Sequence, residues 1–195
     1  MNSSTTTTNH LGQPVGFDVP DWVPPEHPEK QTISGRCCRL EPLDASTHAC
    51  GLYSACALDK EGRNWTYLPY GPHISFEEYN DWLIPLQSSD DPQFYTVVLM
   101  ETGDPVGVAS FLRIQPANGV IEVGHIHFSE KLKRSVAATE AMFLMMKTAF
   151  ELGYRRYEWK CDALNAPSRA AAERLGFRYE GTFRQALVYK GRNRD

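Results

Sequence analysis

The segment from residue 120 to residue 177 most restricts how this chain can fold. It opens with an apolar run, Val120-Ile-Glu-Val-Gly-His-Ile-His-Phe128, whose β-branched residues suit a strand. A basic turn follows, Lys131-Leu-Lys-Arg-Ser135. The spacing then predicts a long helix over 137–152, a second strand over 154–161 and a short helix from Asn165 to Leu175, closed by Gly176-Phe177. A strand, a long helix and another strand in series require a crossover, so the two strands should run parallel. In the long helix the polar positions Glu140, Lys147 and Glu151 form one stripe, while Met142, Phe143, Met145, Met146 and Phe150 fill a wide apolar face. The turn ahead of it is a place for an anion, because a helix N-terminus presents free N–H groups and partial positive charge. The segment therefore reads as the holder of a phosphate-bearing ligand.

The rest of the chain supplies a scaffold. Residues 1–30 carry a Ser/Thr run and five prolines (Pro14, Pro20, Pro24, Pro25, Pro28), the composition of a flexible arm, with Trp22-Val23 as a local anchor. A single domain is expected over 31–195. Residues 33–43 read as a first strand ended by Glu41-Pro42, and Asp44 or Ser46 as the cap of a helix over 45–58. The loop Asn64-Trp-Thr-Tyr-Leu-Pro-Tyr-Gly-Pro72 is rich in aromatics, so Trp65, Tyr67 and Tyr70 are candidates for a substrate wall and, equally, for plugs at the core edge. Ser75 and Glu78 form a capping box for a helix over 76–86. Strands over 93–100, 106–114 and 120–128, joined by short turns, make an antiparallel meander. One or two further strands fall within 177–190, with no closing apolar strand after them.

Composition narrows the function classes. The net charge is −4, against a duplex or polyanion binder, whose affinity comes from basic surface. The five cysteines (Cys37, Cys38, Cys50, Cys56, Cys161) show no CxxC or zinc spacing and read as reduced thiols in a cytoplasmic setting. His125 and His127 share a strand face, but no third metal ligand accompanies them. No signal peptide is visible, and no apolar run reaches the roughly 18 residues of a membrane helix. Neither charge nor composition excludes a homodimer.

Four words of sequence now carry a resemblance: Trp65-Thr-Tyr-Leu-Pro-Tyr-Gly-Pro72, Glu122-Val-Gly-His125, Ala137-Ala-Thr-Glu-Ala141, and Asp162-Ala-Leu-Asn-Ala-Pro-Ser168 leading to Arg174-Leu-Gly-Phe177. In this order and on these elements they resemble the GNAT acyltransferases, in particular the RimJ/RimL-type N-acetyltransferases. The resemblance implies an α/β fold, the GNAT acyl-CoA N-acyltransferase fold, with a mixed, mostly antiparallel twisted sheet, helices on both faces and a central splayed strand pair. It implies acetyl-CoA as cosubstrate, no metal, and an acceptor that is a small-molecule amine or a protein N-terminus. It also implies one more strand beside the splayed pair than the sequence shows.

The resemblance places the pantetheine against the backbone of His125, Ile126, His127 and Phe128. It places the diphosphate on Lys133, Arg134, Ser135, Val136, Ala137 and Ala138, where Val136 stands at a position the family gives to glycine. A valine resists φ > 0, so the turn should follow another backbone path or bind more weakly. Asn165 is a cofactor contact and a helix cap in one. Ser168 is expected near the thioester sulfur, and Ala172 stands where many members carry a tyrosine acid. For the base, a carboxylate on an apolar strand should have a raised pKa, which points to Glu122, unless it is spent on a salt bridge; His125 is the second candidate and Glu158 a weaker one. A rival reading is a non-catalytic acyl-CoA-binding sensor or interaction module of the same fold.

Overall fold

The computed structural model describes residues 6–195. The elements in chain order are β1 (Thr7–Thr8), β2 (Pro14–Val15), β3 (Ile33–Ser34), β4 (Cys38–Pro42), α1 (Ala45–Cys56), α2 (Phe76–Gln87), β5 (Gln93–Leu99), β6 (Pro105–Gln115), β7 (Val120–Phe128), α3 (Val136–Glu151), β8 (Arg156–Trp159), α4 (Ala166–Arg174), β9 (Leu187–Tyr189) and β10 (Arg192–Arg194). Six strands form one sheet in the order β3-β4-β5-β6-β7-β8. All neighbours in it are antiparallel except β7 and β8, which the α3 crossover makes parallel.

Both faces of the sheet are covered, and period-2 alternation sorts the side chains. Tyr95, Val97, Ala109, Phe111, Ile121 and Val123 pack under α3 with Ala141, Met145 and Ala149. Phe94 and Val108 belong to the opposite face, under α1 and α2, with Leu52, Trp65, Tyr79 and Leu83. Helix ends follow the caps: Asp44 accepts from the Ser46 N–H, Ser75 from Glu78, Ser135 from Ala138 and Asn165 from Ser168.

Several sequence expectations are corrected. The single strand over 33–43 is a hairpin, because the turn at residues 35–37 is drawn onto α3. There the Glu140 carboxylate accepts the N–H groups of Arg36, Cys37 and Cys38 at 2.8, 2.6 and 2.9 Å. The apolar face of α3 is narrower than expected. Phe143 and Phe150 are 55% and 51% exposed; they lie seven residues apart on one stripe, and Ala141, Met145 and Ala149 take the sheet side. Residues 22–30 of the N-terminal arm run along the domain. The guanidinium of Arg155 lies over the Trp22 ring, Tyr154 donates to the Glu26 carbonyl, Gln93 to Pro28 and Tyr95 to Glu29. Residues 1–5 of that arm lie outside the described residues. The strands after residue 177 are β9 and β10, which pair with each other and not with β8.

Candidate functional site

The site is built where β7 parts from β8. Their parallel pairing runs from Val120↔Arg156 to Val123↔Trp159 and stops there. β7 continues to Phe128, still paired to β6 on its other edge. Backbone groups along the free edge of residues 124–128 need partners, and an amide-bearing ligand laid in the gap supplies them. At the same place β7 bulges: Ser110 pairs with Gly124 and Val108 with His127, so β7 spends one residue more than β6 over that step. His125, on the bulge, has φ 50°, the left-handed region that non-glycine residues seldom occupy.

Beyond the gap, an open cleft of about 610 Å³ lies between the start of α3 and α4, lined by Arg134, Ser135, Ala138, Thr139, Ala171 and Arg174. Arg174 donates to Thr139 Oγ1 at 3.2 Å. Two guanidinium groups beside a helix N-terminus give this cleft the local charge that attracts an anion. In the turn the left-handed residue is Arg134 (φ 57°), and Val136 is the first residue of α3. Lys133 is drawn away from the cleft and donates to Asn64 and to Glu130 (2.9 Å). Of the three basic residues in the turn, only Arg134 lines the cleft.

Glu122 is buried on the α1/α2 face of β7, but it is not a lone carboxylate. Arg113 donates to one oxygen at 2.6 Å and Lys160 to the other at 2.7 Å. Lys160 also binds Glu158 at 2.5 Å, so the second carboxylate candidate is paired as well. These contacts hold β6, β7 and β8 together at the point of divergence. Arg113 and Lys160 escaped the sequence reading, since one sits on a second bulge of β6 and the other just past β8.

Ser168 Oγ accepts from the Trp159 indole N–H at 3.0 Å, which leaves the serine O–H free to donate. The Asn165 carbonyl is spent on the cap, 3.1 Å from the Ser168 N–H. Ala172 carries no group that can donate a proton.

The aromatic loop lies beneath β7. Trp65 is buried and stacks on His127 at 3.8 Å between ring centroids, with Tyr79 and Trp82 at its edges. Tyr67 donates to the Leu164 carbonyl at 3.1 Å, tying the loop to the entrance of α4. The Tyr70 hydroxyl lies 2.8 Å from Nδ1 of His125. Trp65 is therefore a core plug, and Tyr70 reaches the bulge. Beside this loop a hollow of about 330 Å³ is lined by Tyr53, Cys56, Asp59, Glu61, Trp65 and Tyr79.

The two histidines differ. Burial, then Lys133, pulls the His127 imidazole down to about 3; its Nδ1 lies 3.5 Å from Cys56 Sγ, whose thiol burial pushes up to about 12. Burial, then Arg113 and Arg194, pulls His125 down to about 4. Both rings are neutral near pH 7. Among the described residues no group of three or more His, Cys, Asp or Glu is gathered for a metal, and no helix is long and apolar enough to cross a membrane.

Comparison with known proteins shows the family and the fold. The family model described as "Acetyltransferase (GNAT) domain" matches residues 38–178. A GCN5-related N-acetyltransferase from Brucella melitensis is 46% identical, with a TM-score of 0.88 over 90% of this chain and 80% of its own. A probable acetyltransferase (GNAT family) from Chromobacterium violaceum ATCC 12472 is 41% identical, with a TM-score of 0.85 over 93% of this chain and 91% of its own. RimL, a ribosomal-protein alpha-N-acetyltransferase, shares the fold at 24% identity and a TM-score of 0.71, over 88% of this chain and 94% of its own. No curated protein matches the chain.

Proposed function

The chain belongs to the GNAT acetyltransferases, and on that premise we propose that it moves an acetyl group from acetyl-CoA to a primary amine by direct attack within a ternary complex. One observation carries the reading: β7 and β8 part after Val123 and Trp159, and the helices that follow them, α3 and α4, enclose a cleft edged by Arg134 and Arg174. The free edge of residues 124–128 would bind the pantetheine amides. The first turn of α3 with Arg134 and Arg174 would hold the phosphates. The Ser168 O–H would steady the thioester sulfur, and Tyr67 and Tyr70 would line the acceptor side. Acetyl-CoA supplies an activated acyl carbon, and the protein holds the amine nitrogen against it in a fixed geometry, which accounts for much of the acceleration in such reactions.

Glu122 has a different part in this reading from that of a free base. Both its oxygens are bound by cations, so it sets the shape of the apex and the field there. Cys161, just past β8, is half-buried and has no histidine or carboxylate hydrogen-bonded to its sulfur among the described residues, which favours direct attack over an acyl-cysteine. The acceptor would be a small amine or a protein N-terminus, the latter by analogy with RimL, and the setting cytoplasmic.

The test is thiol release from acetyl-CoA with a Ser-initiated hexapeptide, ethanolamine, phenethylamine and spermidine, alongside calorimetric binding of acetyl-CoA. Turnover with one of these is expected. Tight binding with no turnover on any amine would favour the sensor module. Arg134→Ala and Arg174→Ala should each weaken acetyl-CoA binding by about tenfold and flatten its salt dependence. Unchanged affinity in both would move the phosphates elsewhere.

A further inference from the structure

On its α1/α2 face β7 presents three titratable side chains: Glu122, His125 and His127. Glu122 is saturated by Arg113 and Lys160, and His127 is enclosed under Trp65. His125 stands apart. It lies on the bulge, where β7 has lost β8 as a neighbour, in a left-handed backbone conformation that favours glycine. Its Nδ1 is hydrogen-bonded to the Tyr70 hydroxyl, its ring packs on Phe94 at 5.1 Å, and its Nε2 has no partner among the described residues. Bulges re-aim side chains next to active sites.

We propose that His125 is the catalytic base that accepts the proton of the attacking amine at Nε2, and that Tyr70 is the positioning residue that holds its ring. The inference rests on the acetyl-transfer reading above. In the working tautomer Nδ1–H donates to the Tyr70 oxygen, which leaves the Nε2 lone pair free. The amine nitrogen forms a bond to the acetyl carbon, the carbon–sulfur bond breaks, and the N–H proton goes to Nε2. His125 then gives that proton to the CoA thiolate, so the products are the amide and free thiol, and His125 ends neutral. One group thereby covers both base and acid, which suits a site with alanine at 172. The groups facing His125 agree with a neutral resting ring: Tyr70 from the loop, Arg113 from β6, Arg194 from β10, and Glu122 on its own strand, already neutralised.

The test uses the full chain and whichever amine the wild type acetylates. His125→Asn keeps a residue that tolerates the left-handed backbone and removes the base. It should lower kcat by about a hundredfold or more with the KM for acetyl-CoA unchanged. His125→Gly should lose activity similarly and recover part of it on adding imidazole. Tyr70→Phe should cost about tenfold in kcat. The 15N-histidine titration of His125 in the free protein should move to lower pH, because the Tyr70 oxygen stabilises the imidazolium. Turnover within twofold of wild type in both His125 variants overturns the proposal. Loss of acetyl-CoA binding in both also overturns it, assigning His125 to the cofactor. An unmoved titration in Tyr70→Phe removes Tyr70 from the scheme. A wild type that binds acetyl-CoA and acetylates nothing overturns the underlying reading and the base assignment together, whereas active wild type with active His125 variants overturns the base alone.

Discussion

Glu140 ties the β3–β4 turn to α3 through three backbone N–H groups at residues 36–38. Burial alone would raise its carboxyl, but those donors outweigh it and hold it below the usual carboxylate range. Removing the acceptor leaves donors without partners, so Glu140→Ala should destabilise the protein by about 2–3 kcal/mol, read as a shift of the urea midpoint. A depressed carboxylate contributes stability above its unfolded pKa and loses it as pH falls, so the gap between variant and wild type should close in acid. His127 works in the same direction over a higher window. Its folded value, about 3, lies below the ordinary 6.5, so its contribution is complete above 6.5 and fades toward 3. Between those limits stability should fall by up to about 1.4 kcal/mol per pH unit from this group, and His127→Gln should flatten the slope of urea midpoint against pH. At this scale residue types were legible and their partners were not. Glu140 read as one member of a polar stripe, and Glu122 as either a base or one half of a salt bridge with no partner named, because the groups that bind them stand far away in the chain.

Among the elements, β7 was placed from its first residue to its last, since an apolar run between two turns admits one reading. Its bulge was not legible. Which residue is extra depends on what β6 presents opposite it, and no local pattern encodes that. The start of α3 shows the same limit: Val136 drew attention as a missing glycine, while the backbone placed its left-handed residue at Arg134. α4 is short and has no buried residue, so its cap matters more than its packing. Asn165→Ala should cost about 1 kcal/mol, concentrated in that helix. Amide hydrogen exchange should quicken over 166–174 and stay unchanged in α3; uniform quickening would mean that the cap serves the whole domain.

For the whole molecule, the N-terminal arm and the C-terminal hairpin both touch what the central sheet leaves open. The arm receives hydrogen bonds from Gln93, Tyr95 and Tyr154, all buried, and Lys30 pairs with Asp90 at 2.9 Å. A chain beginning at Ile33 should therefore be less stable than one beginning at Asp21 by about 3 kcal/mol, as the three side chains lose acceptors; equal thermal midpoints would refute this. The hairpin β9–β10 is held by Tyr189 on Asp162 at 2.9 Å and by Lys190 on the Trp65 carbonyl at 2.8 Å, and it brings Arg194 toward His125. It thus contributes to the environment of the bulge, which its exposed, polar sequence did not indicate.

The sequence by itself determined the strand–turn–helix–strand–helix unit, the meander before it and the caps at Ser75 and Asn165, because hydrophobic period, turn chemistry and capping are local and survive without a partner. The tertiary structure alone decided where β7 leaves β8, which residue bulges, which cations quench Glu122 and which phenol reaches His125. Those are meetings between segments tens of residues apart, set by how two packed faces of one sheet settle against their helices, and the chemistry of the site depends on them.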